Sequence, residues 1–229
     1  MPAVQLFATC LGDLAFPDAV ADAETLLREA GFEVEFPSAQ VCCGQPAFNA
    51  GHRAAARRVA RTFAKAFSRE APVVVPSGSC ATMALHYLPE LVGVEPFEVW
   101  ELSAFLDGAG FRPPRRNEGR RVAYHDSCHM LRELKIAEPP RRLLEGSGAE
   151  VVRLERPDLC CGFGGTFSVR QPEISVAMAD DKLGGAEAAG VLVTADPGCL
   201  MHLRCRGERS GAPVRVVHLA TALARGVDA

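Results

Sequence analysis

The sequence predicts an α/β protein built from two pseudo-symmetric repeats, each a small, mostly parallel sheet flanked by helices, with cysteines at the C-terminal strand edge. Three observations predict it. Short apolar runs alternate with longer stretches of helical period, the pattern of βα units and parallel sheets. The order of these runs recurs in the second half of the chain. Eight of the nine cysteines follow the runs at matching intervals in the two halves.

Taken in order, residues 4–9 read as a short buried strand that ends at Cys10. Residues 17–30 read as a helix with Val20, Leu26 and Leu27 on its apolar side and Gly31 placed to stop it. A second strand at 33–36 leads into a loop carrying Cys42 and Cys43. Residues 53–67 are helical, because Val59, Phe63 and Phe67 recur at i, i+4 and i+8. The apolar run 72–75 is a third strand, and its loop delivers Cys80. In the second half the order is a strand at 121–125 before Cys128, a helical stretch from 140, and a strand at 150–154 before Cys160 and Cys161. A helix at 174–183 and a strand at 191–195 before Cys199 follow. A further strand at 214–219 and a terminal helix at 220–225 complete the chain. The Arg-Pro-Pro-Arg-Arg-Asn-Glu-Gly stretch from Arg112 to Gly119 reads as a linker, and the repeats are divided into residues 1–114 and 115–229.

The cysteine intervals make the duplication quantitative. Thirty-one residues separate Cys10 from Cys42, and thirty-one separate Cys128 from Cys160. Between Cys43 and Cys80 lie 36 residues, and between Cys161 and Cys199 lie 37. Only Cys205 falls outside the register. Because parallel strands all present their C-terminal ends along one edge, the three cysteine-bearing loops of each half are expected to meet there.

Composition narrows the chemistry. A net charge of −3 gives no reason to expect nucleic acid or an anionic membrane as partner. No apolar stretch approaches the ~18 residues of a membrane span, and no basic-then-apolar leader opens the chain. A cytoplasmic protein is expected, held at a membrane only through a partner. In a reducing compartment nine cysteines point to metal ligation or redox chemistry rather than to disulfides. No Gly-x-Gly-x-x-Gly follows a strand and no phosphate-binding Gly-Lys-Ser/Thr loop occurs, so nucleotide or flavin binding has no motif behind it.

Two sets of four thiolates, Cys10, Cys42, Cys43 and Cys80 in the first repeat and Cys128, Cys160, Cys161 and Cys199 in the second, are each sufficient for a [4Fe–4S] cluster or a structural zinc. Neither half has the paired Cys-x-x-Cys knuckles usual for zinc, and adjacent cysteines suit two irons of a cluster better than one tetrahedral ion. Three readings stand: an iron–sulfur redox subunit, a zinc-binding structural scaffold, and a thiol–disulfide redox protein using the vicinal cysteines. Arg57, Arg61 and Lys65 form a basic stripe that reads as a solvated helix face. Asp126 and Asp196, each following a predicted strand, are placed to cap helices. No catalytic acid or base is assigned.

The segments Cys42-Cys43-Gly44-Gln45-Pro46, Tyr124-His125-Asp126-Ser127-Cys128-His129, Cys160-Cys161-Gly162-Phe163-Gly164-Gly165 and Asp196-Pro197-Gly198-Cys199-Leu200-Met201 carry a resemblance. Together they make the chain similar to the cysteine-rich (CCG) domain family of iron–sulfur oxidoreductases, whose members occur in heterodisulfide reductase and in glycolate oxidase. Within that family the resemblance is to the lactate-utilization branch. It implies one iron–sulfur cluster per repeat and electron transfer in the oxidation of L-lactate, a small 2-hydroxy acid, to pyruvate. It also implies partner subunits, one ferredoxin-like and one accessory. The family closes each repeat with Cys-x-x-Cys, whereas here the last position is Met83 in the first repeat and His202 in the second. That departure argues against a five-thiolate cluster. His202 is then a candidate fifth or substitute ligand or a plain helix residue near the site, and Met83 is expected in the core. His125 and His129 flank Cys128 and are expected near the second site.

Overall fold

The computed structural model describes all 229 residues. The first half runs β1 (Ala3–Leu6), α1 (Cys10–Ala15), α2 (Pro17–Glu29), β2 (Glu33–Glu35), α3 (Gln45–Asn49), α4 (Arg53–Ala66), β3 (Val73–Val75), α5 (Gly78–Thr82), a π turn over Met83–Tyr87, α6 (Leu88–Val92), β4 (Val99–Glu101) and α7 (Leu102–Gly108). The second runs β5 (Arg121–His125), a π turn over Met130–Leu134, α8 (Glu138–Gly146), β6 (Glu150–Val152), α9 (Thr166–Arg170), α10 (Pro172–Gly184), β7 (Val191–Thr194), α11 (Pro197–Ser210), β8 (Arg215–His218) and α12 (Leu219–Ala224). Each half forms its own sheet, in the orders β2-β1-β3-β4 and β6-β5-β7-β8, with every pairing parallel.

Local chemistry accounts for the element ends. Pro17 opens α2, where a missing N–H costs nothing, and Gly31 at φ +90° follows its end. In α4 the buried residues are Ala56, Ala60 and Phe63, with Phe67 buried just beyond, while Arg57, Arg61 and Lys65 face solvent. Met83 is fully buried in the first-half core, as expected. The strand β4 has no counterpart among the sequence expectations. Three residues, Val99-Trp100-Glu101, are too few to show an alternating pattern, and they become a strand by pairing with β3 in the register Val73↔Val99.

The two sheets are not separate lobes. The largest core cluster joins 25 buried residues from both halves, among them Leu6, Leu26 and Leu106 from the first and Tyr124, Leu144 and Leu223 from the second. Helix α2 packs on α12, and α7 on α8, so one helical layer shared by the repeats lies between the sheets. Two smaller clusters cover the outer faces, one around Phe7, Phe63 and Val75, the other around Leu183, Leu192 and Leu203. No helix is long and apolar enough to cross a membrane.

Reversal of strand order between β1 and β3, and between β5 and β7, makes a switch point in each sheet, the usual crevice for ligands in open α/β folds. Cys10 follows β1 and Cys80 follows β3, while Cys128 follows β5 and Cys199 follows β7. Both crevices are therefore lined with sulfur.

Candidate metal centres

In each half the loops bring four thiols together. Cys10 Sγ lies 3.5 Å from Cys42 Sγ, and Cys43 Sγ lies 3.4 Å from Cys80 Sγ. In the second half Cys161 Sγ lies 3.1 Å from Cys199 Sγ, and the Cys128 thiol neighbours that of Cys160. The vicinal cysteines thus divide: the first of each pair turns to the strand-1 arm and the second to the strand-3 arm. Cys43, Cys80, Cys161 and Cys199 are buried, whereas Cys10 is exposed and Cys42, Cys128 and Cys160 are half-buried. Cys205 is exposed and has no part in either set.

The glycine of each Cys-Cys-Gly run sets this geometry. Gly44 and Gly162 have φ of +91° and +88°, and their N–H groups turn back to donate to Cys42 Sγ and Cys160 Sγ, each at 3.4 Å. Those donors, together with the neighbouring thiols, stabilise the anion. Hydrogen bonds from Cys10 and Cys43 hold Cys42 down at about 3, and those from Cys128 and Cys161 hold Cys160 at about 2. Cys43 and Cys161 are pushed up, first by the neighbouring cysteine and then by burial. Each set therefore offers one ready thiolate, the form that binds metal.

The two glycines are not equally tolerant. A Cβ on Gly162 would stand 2.4 Å from the Ser175 carbonyl oxygen, whereas one on Gly44 would stand 3.3 Å from that of Ala56. Gly44→Ala should cost about 1–2 kcal/mol for the left-handed backbone alone. Gly162→Ala should cost about 3 kcal/mol or more, because backbone must also shift. Urea unfolding of both variants checks this, and equal losses would contradict the geometry.

The two sets face one cleft. A cavity of about 410 Å³ is lined by seven of the eight register cysteines, drawn from both halves, all but Cys42. Asp196 lies at its base and ties the halves together. Its Oδ1 accepts from Gly198 N at 3.0 Å, capping α11, and its Oδ2 accepts from Ser79 N at 2.8 Å and Ser77 Oγ at 3.4 Å on α5. Since α5 carries Cys80 and α11 carries Cys199, one carboxylate fixes both helices. Tight packing reinforces the junction, for a Cβ on Gly78 would fall 2.2 Å from Met130 Cγ. Higher in the cleft Gln45 Nε2 reaches Ser79 O at 3.0 Å and His129 Nε2 at 3.2 Å, again crossing between halves.

The histidines separate. His129 lies on the cleft wall, with Nδ1 3.5 Å from Cys128 Sγ. His202 Nε2 lies 3.1 Å from Ser175 Oγ, which itself donates to Gly162 O. His125 is fully buried, and burial followed by the charge of Lys182 pushes its imidazole down to about 3. Asp126 is not a cap but is paired with Arg141 through two charge-assisted hydrogen bonds, at 2.8 and 2.5 Å. Gln45 and Asp196 stand beside cysteines in the sequence motifs, yet nothing in their spacing shows that they bridge the repeats. Thr9, just before Cys10, holds φ +65°, an unusual strain for a β-branched residue at the edge of the site.

Four thiols per half on loops of a duplicated parallel sheet, meeting across one cleft, define a twin cysteine-cluster protein whose donor chemistry is that of a metal site. A family model described as a cysteine-rich domain, CCG, matches residues 4–84 and again 122–204. The chain belongs to this CCG cysteine-rich domain family, with two copies of the domain. It is 41% identical over 234 residues to lactate utilization protein A of Halalkalibacterium halodurans, covering 96% of each chain. Lactate utilization protein A 2 of Bacillus cereus and lactate utilization protein A 1 of Bacillus anthracis are each 38% identical over 239 residues, covering 98% of this chain and 99% of the relative.

Proposed function

We propose that the chain is an iron–sulfur redox subunit that takes part in the oxidation of L-lactate to pyruvate, with a [4Fe–4S] cluster bound in each repeat. The observation that carries this reading is the convergence of two four-thiol sets on one cleft. The names of the relatives supply the substrate. Cys10, Cys42, Cys43 and Cys80 would hold one cluster, and Cys128, Cys160, Cys161 and Cys199 the other. The repeats are taken as 1–114 and 115–229, and a reducing cytoplasm keeps the thiols available. The donor sets fit: each has a buried pair, a thiolate-ready cysteine and a glycine N–H already directed at sulfur. When bound, such clusters would supply one-electron transfer, and the partners expected to receive the electrons are a ferredoxin-like subunit and an accessory subunit of the same system.

Lactate oxidation releases two electrons and two protons. Gln45, Asn49 and His129 line the cleft as hydrogen-bonding groups that a small polar molecule would meet there. His202 serves the second site by holding Ser175 and through it the Gly162 carbonyl, with its other ring nitrogen available as a further donor.

Anaerobic reconstitution tests the reading. Brown protein with about eight irons and eight acid-labile sulfides per chain is expected, four of each per site. A second reading has its own support, because Sγ pairs at 3.1 to 3.5 Å approach the ~3.8 Å edge of a ZnS4 tetrahedron with Zn–S bonds of ~2.3 Å. Colourless protein with stoichiometric zinc would establish that structural scaffold instead.

A further inference from the structure

The two cysteine sets occupy equivalent places but stand on different ground. Equivalent register pairs, Leu6↔Val74 and Tyr124↔Val193, superpose Phe7 on His125. The contacts that Gly44 makes with Ala56 and Gly162 with Ser175 align α4 with α10 and so superpose Phe63 on Lys182. In the first half Phe7 and Phe63 meet edge to face, 5.1 Å between ring centroids, in an apolar floor beneath Cys43 and Cys80. In the second half that aromatic pair is replaced by a buried imidazole and a buried ammonium.

Lys182 is accounted for, since Nζ donates to the carbonyls of Arg156 and Pro157 at 3.0 and 3.1 Å and so holds the loop leading to Cys160. His125 is not. It is 0% exposed, and neither ring nitrogen has a hydrogen-bond partner. His218, the other imidazole with an unpartnered nitrogen, at least caps α12 through Nδ1. A ring nitrogen of His125 and the Sγ atoms of Cys161 and Cys199 lie within 4.8 Å of one another. A buried polar group without a partner is rare in a folded protein, and one aimed at two buried thiols has a natural partner in whatever those thiols bind.

We infer that His125 is a nitrogen ligand of the second centre, alongside Cys161 and Cys199, so that the second centre is a mixed imidazole–thiolate site while the first is thiolate only. The inference rests on the metal-cluster reading above. With His125 on one iron, one of the four second-set thiolates no longer ligates, and neutral imidazole in place of that thiolate removes negative charge from the cluster and raises its potential. The second centre is then the electron-accepting end of the pair.

The test is pulsed electron paramagnetic resonance on anaerobically reconstituted, dithionite-reduced protein labelled with 15N-histidine, compared with His125→Phe, which installs the residue of the first repeat. Directly bound imidazole nitrogen is expected in the native spectrum of one centre only. It should be lost in His125→Phe, with the midpoint potential of that centre shifted downward and the other unchanged. Where that substitution compromises folding, seen by circular dichroism, His125→Asn is read in its place. Histidine coupling that survives both substitutions, or iron-loaded native protein with no histidine coupling, overturns the inference and leaves the cluster reading standing. Protein that takes up no iron overturns both.

Discussion

Replacing Cys160 by alanine should remove about half of the iron from the reconstituted protein and leave the fold intact. Cys160 is half-buried, so the substitution leaves no large cavity and should cost about 1 kcal/mol or less. Its thiolate, however, is the one held at about 2 by the Cys128 and Cys161 thiols and the Gly162 N–H, and no other group of the second set is so prepared. Cys42→Ala should empty the first set in the same way, and the double variant should bind no iron at all. Iron and sulfide assays per chain, with circular dichroism to show that the fold persists, decide the matter. Complete loss from either single variant would mean one centre shared across the cleft, and no loss from either would mean that the iron sits elsewhere.

The second large effect is expected at Asp196. Asp196→Ala removes the cap of α11, worth about 1 kcal/mol, and leaves the Ser79 N–H without its acceptor, worth a further 1–3 kcal/mol or so where that group is desolvated. A total loss of about 2–4 kcal/mol in urea unfolding is expected. What distinguishes Asp196 from any other cap is that both cysteine sets should suffer together, because α5 and α11 both lose their anchor. Asp196→Asn, which keeps one acceptor oxygen, should lose about half as much. A variant that unfolds at the native urea concentration, or disturbs only the second set, would show that the bridge between the halves is not what holds them in register.

These two residues differ in how they could be found. Cys160 is legible in the sequence because its neighbours repeat at fixed intervals, and those intervals are the lengths of βα units. Asp196 is legible only as a residue that could cap a helix. That its second oxygen reaches a helix of the other repeat, 117 residues away, depends on how two apolar faces pack. The strand β4 shows the same division on a smaller scale, since three residues carry no period and pairing with β3 alone makes them a strand.

The sequence by itself determined the duplication, the parallel βα order, the grouping of eight cysteines into two sets and their place at the C-terminal strand ends. All of these follow from periodicity and chain connectivity, which are local and additive along the chain. Tertiary structure alone decided that the sets face a single cleft, that the halves share a core, and that Asp196, Gln45 and His129 join them. It also decided that Phe7 and Phe63 lie under one set and His125 and Lys182 under the other. Those facts come from side chains distant in sequence meeting after the sheets have packed, and the order of residues along a chain carries no mark of such meetings until the fold brings them together.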